Sequence, residues 1–379
     1  MSLSPCLPED RFGFYQVGNV KTYKKFDAIN EHIRSGIHPQ WVFNDNVFRQ
    51  YNWTIEPKES LETLYRLRAQ QLRDKYDYLV LFYSGGADST NVLNTFIKNK
   101  IKLDEICTFF TFDGNKHQYA GNDSEVALVA KPYAEEVIKA NPHIKLRLID
   151  ISTDVYNLCA DHAQLETYIY GQSAILMPKC GVWQRITDVV PEYKAAINAN
   201  KRIGFIWACD KPRVLHNGAR YYVQFLDIID NVVRPGTSEP VEFFYWTPDL
   251  PSIVIKQGHI IKRYLESAEL TSMHITLDPT GLACKKTPAG TLWLTTHGVH
   301  SLIYPSWDIN TFSVGKSASP IADFHTSPWF FKLDNDIALS NWKGIVSNFW
   351  KDLPSYWKNC DTNLFDGIKG MRSQEYFLN

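Results

Sequence analysis

The sequence predicts an α/β protein: a parallel-sheet domain up to about residue 230, then a helix-rich region. Two observations carry this. Short apolar runs at 78–83, 105–112, 144–149 and 202–209 alternate with stretches of helical spacing, the order that right-handed crossovers turn into a parallel sheet. The first run also stops abruptly at Ser84-Gly85-Gly86, after which Val92, Leu93, Phe96 and Ile97 recur at helical spacing. That pattern is strand, tight loop, helix.

Residues 1–58 are turn-rich and aromatic, with short strands expected around Phe14–Val17 and Trp41–Phe43. Trp41, Phe43, Phe48, Tyr51 and Trp53 are expected to pack onto the following domain. Ser60 is placed to N-cap a helix whose Leu61, Leu64, Tyr65 and Leu72 share one face. Arg66, Arg68 and Arg73 are expected to face solvent. This leading segment, residues 1–75, feeds the strand ending at Tyr83. The second strand, from Glu105, ends at the turn signal Asp113-Gly114. A helical stretch over about 123–140 is interrupted by Pro132, which is suited to begin a separate helix. Ile144–Asp150 alternates as a third strand. Arg202–Cys209 reads as a fourth, running into Asp210-Lys211-Pro212-Arg213, a charged turn. The central domain is placed at 76–230. From 231 to 379 the sequence suggests a strand at Val241–Trp246 and helices over Ile253–Tyr264 and Ile337–Phe349. Tyr245, Trp246, Trp293, Trp307 and Trp329 read as core aromatics with some share in a pocket.

Composition excludes several classes. Forty basic against 41 acidic residues leave a net charge of −1, which argues against a strongly electropositive nucleic-acid surface. Seven cysteines without a Cys-x-x-Cys pair point to reduced thiols. No apolar run has the length of a membrane span, and Met-Ser-Leu-Ser-Pro is not the start of a signal peptide. A cytoplasmic protein is expected, with no membrane partner and an oligomeric state the sequence leaves open. Gly315-Lys316-Ser317 is not a phosphate loop of the Gly-x-x-x-x-Gly-Lys type, because Asn310 stands where the first glycine belongs. His297 and His300 lack a third metal ligand at a recognisable spacing.

The chemistry concentrates in Tyr83-Ser84-Gly85-Gly86-Ala87-Asp88-Ser89-Thr90. Glycines permit positive φ and remove the Cβ that would block a ligand. Loop amides and the following helix start form an anion site. Hydroxyls of Ser84, Ser89 and Thr90 are further donors, and Asp88 can hold a metal ion or a water. The stretch resembles the pyrophosphate-binding loop of the N-type ATP pyrophosphatases, a superfamily that includes asparagine synthetase and phosphoadenylylsulfate reductase domains. Ser84, Gly85, Gly86, Asp88 and Ser89 match its Ser-Gly-Gly-x-Asp-Ser pattern.

The resemblance implies a Rossmann-like, adenine nucleotide alpha hydrolase fold in which residues 83–90 hold ATP with Mg2+. Phe112 and Asp113 are implied beside the adenine and ribose, Asp113 reading equally as a capping turn residue. Lys211 and Arg213 would stabilise the leaving pyrophosphate, and Asp210 would join Asp88 on magnesium; the same residues also fit an exposed charged turn. Lys179, Cys180 and Arg185 are candidate substrate contacts, while Cys180 and Cys209 also suit small core positions. The tail, Glu375–Asn379, lacks the cysteine motif of the phosphoadenylylsulfate reductases, and no glutaminase-type cysteine precedes the loop. The chain therefore looks like a stand-alone, divergent relative of the kind found in bacterial and phage genomes. The leading expectation is an AMP-forming ligase acting on a small molecule or amino acid. Modification of a nucleobase in tRNA or DNA, and a non-catalytic nucleotide-binding protein, are the alternatives.

Overall fold

The computed structural model describes residues 8–110, 126–150, 186–208, 212–227, 241–267, 275–277, 283–287, 290–293, 302–305, 354–355 and 370–379. The chain opens with β1 (Phe14–Val17), β2 (Val20–Thr22), α1 (Lys25–Ser35), β3 (Gln40–Val42) and α2 (Asp45–Phe48). The three strands form an antiparallel sheet in the order β2-β1-β3. Next comes α3 (Leu61–Lys75), started by Ser60, whose hydroxyl accepts from the Thr63 amide at 3.2 Å. Its buried stripe is Leu61, Leu64, Tyr65, Arg68, Ala69 and Leu72, successive positions of one helical face.

The central sheet is parallel, in the order β10 (Val241–Phe243), β7 (Ile203–Trp207), β4 (Tyr78–Phe82), β5 (Glu105–Phe110), β6 (Lys145–Asp150). Its middle strand is β4 (Tyr78–Phe82), where Leu79, Val80 and Leu81 are fully buried. An unbroken apolar run is what a strand covered on both faces requires. After β4 the chain forms α4 (Ala87–Lys98), β5 (Glu105–Phe110), a π-helical turn (Val126–Ala130), α5 (Lys131–Ala140) and β6 (Lys145–Asp150). Two short helices follow, α6 (Ile186–Val189) and α7 (Pro191–Asn198). The chain then crosses to the other side of β4 with β7 (Ile203–Trp207), and β10 (Val241–Phe243) extends the sheet beyond it. Strand order thus reverses between β4 and β7, and the loop after β4 sits at that switch point, where parallel sheets bind their ligands.

Between those strands lies a hairpin, β8 (Arg213–His216) and β9 (Tyr221–Gln224). Later come α8 (Ser252–Ser267), three antiparallel strands β11 (Ile275–Leu277), β12 (Ala283–Thr287) and β13 (Gly290–Trp293), and β14 (Tyr376–Phe377), which pairs with β9. No described helix is long and apolar enough to cross a membrane.

Three expectations change. Arg68 does not face solvent: it is 1% exposed and bonds Glu242 at 3.0 Å, the Phe243 carbonyl at 2.9 Å and Asp249 at 3.1 Å. A guanidinium fits the apolar stripe here because its charge is matched and both terminal nitrogens are hydrogen-bonded, while its Nε finds no hydrogen-bond partner among the described residues. Arg213 does not lie in an open charged turn but begins β8, buried against the core. The parallel sheet also continues past residue 230 through β10, and the described residues between 275 and 293 are strands rather than helix. The helix expected over 337–349 lies outside the described residues.

The leading segment packs as expected on the following elements. Phe43 and Phe48 pack on Phe225, with ring centroids 5.1 and 4.8 Å apart, and Trp53 stacks on Tyr376 at 4.5 Å. Tyr51 remains exposed. Lys25 and Asp227 form a fully buried ion pair at 2.6 Å. Asp227 also accepts from the Tyr15 hydroxyl and the Met371 amide, each at 3.0 Å.

Candidate active site

The loop after β4 is preformed by its own bonds. The Ser84 amide donates to the Ser89 hydroxyl oxygen at 3.3 Å, and the two hydroxyls lie 3.2 Å apart. The Gly86 amide donates to Ser84 Oγ at 3.3 Å, and Ser89 Oγ donates to the Gly86 carbonyl at 3.2 Å. Ser84 is exposed, whereas Ser89 is 3% exposed.

Gly85 is required twice over. Its φ is +80°, and a Cβ there would lie 2.8 Å from the Ala130 nitrogen and 2.9 Å from the Ala130 Cα. The loop is therefore pressed against the π-helical turn, an irregularity frequent at functional sites. Gly86 occupies the N-cap of α4 in extended conformation and supplies no side-chain cap. The first intrahelical bond runs from the Thr90 amide to the Gly86 carbonyl at 3.0 Å. The amides of the first turn, with the positive end of the helix dipole, face the end of the sheet and suit a phosphate.

Tyr83 and Thr90 brace the loop from inside. Both are buried, with their hydroxyls 3.1 Å apart. The Tyr83 amide donates to the Cys107 carbonyl at 2.9 Å, and its carbonyl accepts from Thr108 Oγ1 at 2.8 Å. These bonds tie the loop to the middle of β5.

Asp88, half-buried in the first turn of α4, is gripped by two tyrosines distant in sequence. The Tyr304 hydroxyl donates to Asp88 Oδ1. The Tyr245 hydroxyl donates to the Asp88 carbonyl at 2.9 Å and accepts from Asn91 Nδ2 at 2.9 Å. A third tyrosine, Tyr65, donates to the Ile303 carbonyl at 2.7 Å and accepts from Gln257 Nε2 at 2.8 Å. Burial, followed by the charge of Asp88, drives the Tyr304 hydroxyl far above its ordinary pKa; burial and the neighbouring Tyr65 and Asp88 do the same for Tyr245. Both stay protonated and act as donors. The sequence offered Tyr245 only as an aromatic in a strip and Tyr65 only as a member of a buried helix face, and nothing local marks Tyr304.

Of the residues expected at the site, Tyr83, Ser84, Gly85, Gly86, Asp88, Ser89 and Thr90 come together here. Phe112, Asp113, Lys179, Cys180, Arg185, Asp210 and Lys211 lie outside the described residues. Among the described residues no group of three or more His, Cys, Asp or Glu could hold a metal ion. Asp88 beside hydroxyls and amides still suits magnesium, which takes hard oxygen ligands, commonly one or two carboxylates plus substrate phosphates.

A cavity of about 270 Å³ lies between α3 and α4, lined by Glu62, Tyr65, Asn91, Thr95, Lys98 and Pro305. It falls below the usual volume of a site for a drug-sized ligand. None of the loop glycines or serines lines it, so it lies apart from the loop.

No protein-family model matches the chain, nor does any curated protein. Among solved structures the chain is similar to NMN synthetase from Francisella tularensis, at 18% identity and a TM-score of 0.26, over 39% of this chain and 54% of that one. The chain thus spans about half the length of that structure, and a likeness of this size carries no argument about activity.

Proposed function

We propose that the protein is an ATP-dependent ligase or synthetase that adenylates a substrate oxygen, releasing pyrophosphate, before an amine or another nucleophile displaces AMP. One observation carries this reading. The Ser84–Ser89 stretch, which matches the Ser-Gly-Gly-x-Asp-Ser pattern, is a preformed loop at the switch point of a parallel sheet. In this reading the loop amides and the α4 N-terminus take the β- and γ-phosphates. Asp88 would hold a magnesium ion, whose charge would offset that of the phosphates. The substrate oxygen attacks the α-phosphorus, and the bond to the pyrophosphate oxygen breaks.

What the protein contributes is mostly positioning and electrostatics. The amides are fixed before ATP arrives, so little reorganisation is needed as charge builds on the leaving group. Lys211, after β7, is proposed as a cation for the departing pyrophosphate. Arg213, buried at the start of β8, is given no such part. A small molecule or amino acid is the proposed acceptor.

The test is the product pattern from α-labelled ATP with magnesium, screened with amino acids, small acids and RNA. AMP and pyrophosphate, lost in Asp88→Ala, are expected. ADP and phosphate would overturn the reaction class. AMP formation only in the presence of RNA would favour a nucleobase substrate. Nucleotide binding without turnover under every acceptor would leave a non-catalytic nucleotide-binding protein.

A further inference from the structure

A buried tyrosine hydroxyl has to find a partner, and phenylalanine fills the same space without that requirement. Tyr245 and Tyr304 are 0% and 2% exposed, and both direct their donors at one residue, Asp88. Their rings are 5.6 Å apart. The two bonds reach different parts of Asp88: Tyr245 takes the backbone carbonyl and Tyr304 takes Oδ1.

The grip is itself oriented. Asn91, one turn further along α4, donates to Tyr245 Oη, which leaves the Tyr245 proton for the Asp88 carbonyl. Tyr65 donates to the Ile303 carbonyl, next to Tyr304, and receives a bond from Gln257 of α8. The segment 302–305 is therefore held by Tyr65 of α3, itself bonded from α8, while it holds a side chain of α4. Asp88 has several rotamers on a free helix N-terminus, and a charge-assisted bond from a fixed phenol selects among them.

We infer that Tyr304 and Tyr245 are positioning residues for Asp88, fixing its carboxylate and its helical turn to meet the cation that accompanies the nucleotide. Tyr304 sets the carboxylate, and Tyr245, locked by Asn91, sets the backbone that carries it. The inference rests on the ATP reading above. It adds that residues beyond 240 take part in preparing the nucleotide loop.

The experiment is a double-mutant cycle read by binding. Mn2+ affinity is measured in the presence of a saturating ATP analogue with a methylene bridge between the α- and β-phosphorus, for wild type, Tyr304→Phe, Asp88→Asn and the double variant. Tyr304→Phe is expected to weaken Mn2+ about tenfold, the loss of a hydrogen bond to a charged group. In the Asp88→Asn background the same change is expected to cost less than twofold, because its target has already been altered. An equal loss in both backgrounds, or no loss in the first, would overturn the inference while leaving the ATP reading intact. Wild-type protein that binds neither the analogue nor Mn2+ would overturn both. If Tyr304→Phe does not fold, Tyr245→Phe is taken through the same cycle, with the same two outcomes deciding.

Discussion

Gly85→Ala concentrates the geometry of the loop in one methyl group. At φ +80° an L-residue brings Cβ close to its own backbone, a cost of about 1–2 kcal/mol. The methyl would also sit 2.8 Å from the Ala130 nitrogen and 2.9 Å from its Cα and Cβ, well inside ordinary contact. Overpacking of this kind costs about 1–3 kcal/mol. Alanine restricts the unfolded chain, returning about 0.4–1 kcal/mol. The net loss is roughly 1–5 kcal/mol, seen as a lower denaturation midpoint at unchanged slope. Because the neighbouring atoms include Ala130 backbone, Ala130→Gly removes only one of the three contacts and is expected to rescue only part of the loss. Binding of the proposed ATP should fall further than stability alone explains, since the loop amides move with the clash. A Gly85→Ala protein within about 0.5 kcal/mol of wild type, a margin typical of harmless surface changes, would refute the claim that the loop is pressed on the π-helical turn.

Arg68→Ala should destabilise by about 3 kcal/mol in equilibrium unfolding, the lower end for breaking a buried ion pair. Glu242 keeps Lys75 at 2.6 Å and the Tyr76 hydroxyl as partners, so its charge is not stranded; a loss under about 1 kcal/mol would contradict that geometry. His259 predicts a pH dependence. Burial lowers its pKa below 6.5, helped by Lys262 and Arg263 and opposed by the bond to the Trp53 carbonyl and by Glu56. The unfolded chain therefore binds the proton more readily. The stability from neutral His259 is complete above about pH 6.5 and is lost as pH falls through the lower folded value. Thermal melts from pH 7.5 to 5 should show this slope, and His259→Gln should flatten it; an unchanged slope in the variant would remove His259 as its source.

The parts of the fold governed by local pattern were legible. Ser60 caps its helix, the run ending at Tyr83 forms the middle strand, and Pro132 stands at the start of α5 as its ring demands. Ser84 to Ser89 could be read as a loop because glycine spacing and flanking periodicity are neighbours in the chain. What was missed depends on distant partners. Arg68 looked solvent-facing because Glu242 and Asp249 are 174 and 181 residues away. Tyr304 is 216 residues from Asp88, and a single tyrosine carries no pattern. Arg213 was placed in a turn because Asp210-Lys211-Pro212 resembles one, and the run Arg213–His216 is too short to outweigh the charge at its start.

The buried pair of Lys25 and Asp227, closed by the Met371 amide and by β14 on β9, has a consequence during synthesis. Lys25 leaves the ribosome hundreds of residues before Met371 does, and until then Asp227 lacks one of its three donors and β9 one neighbouring strand. Contacts so far apart in sequence form slowly, since the connecting chain must first be gathered in. An unfinished chain would therefore present the apolar faces of Phe48, Trp53 and Phe225 without Tyr376 to cover them. A ribosome stalled before residue 370 would carry a sticky intermediate with β4 and its loop already made, the species a chaperone would meet.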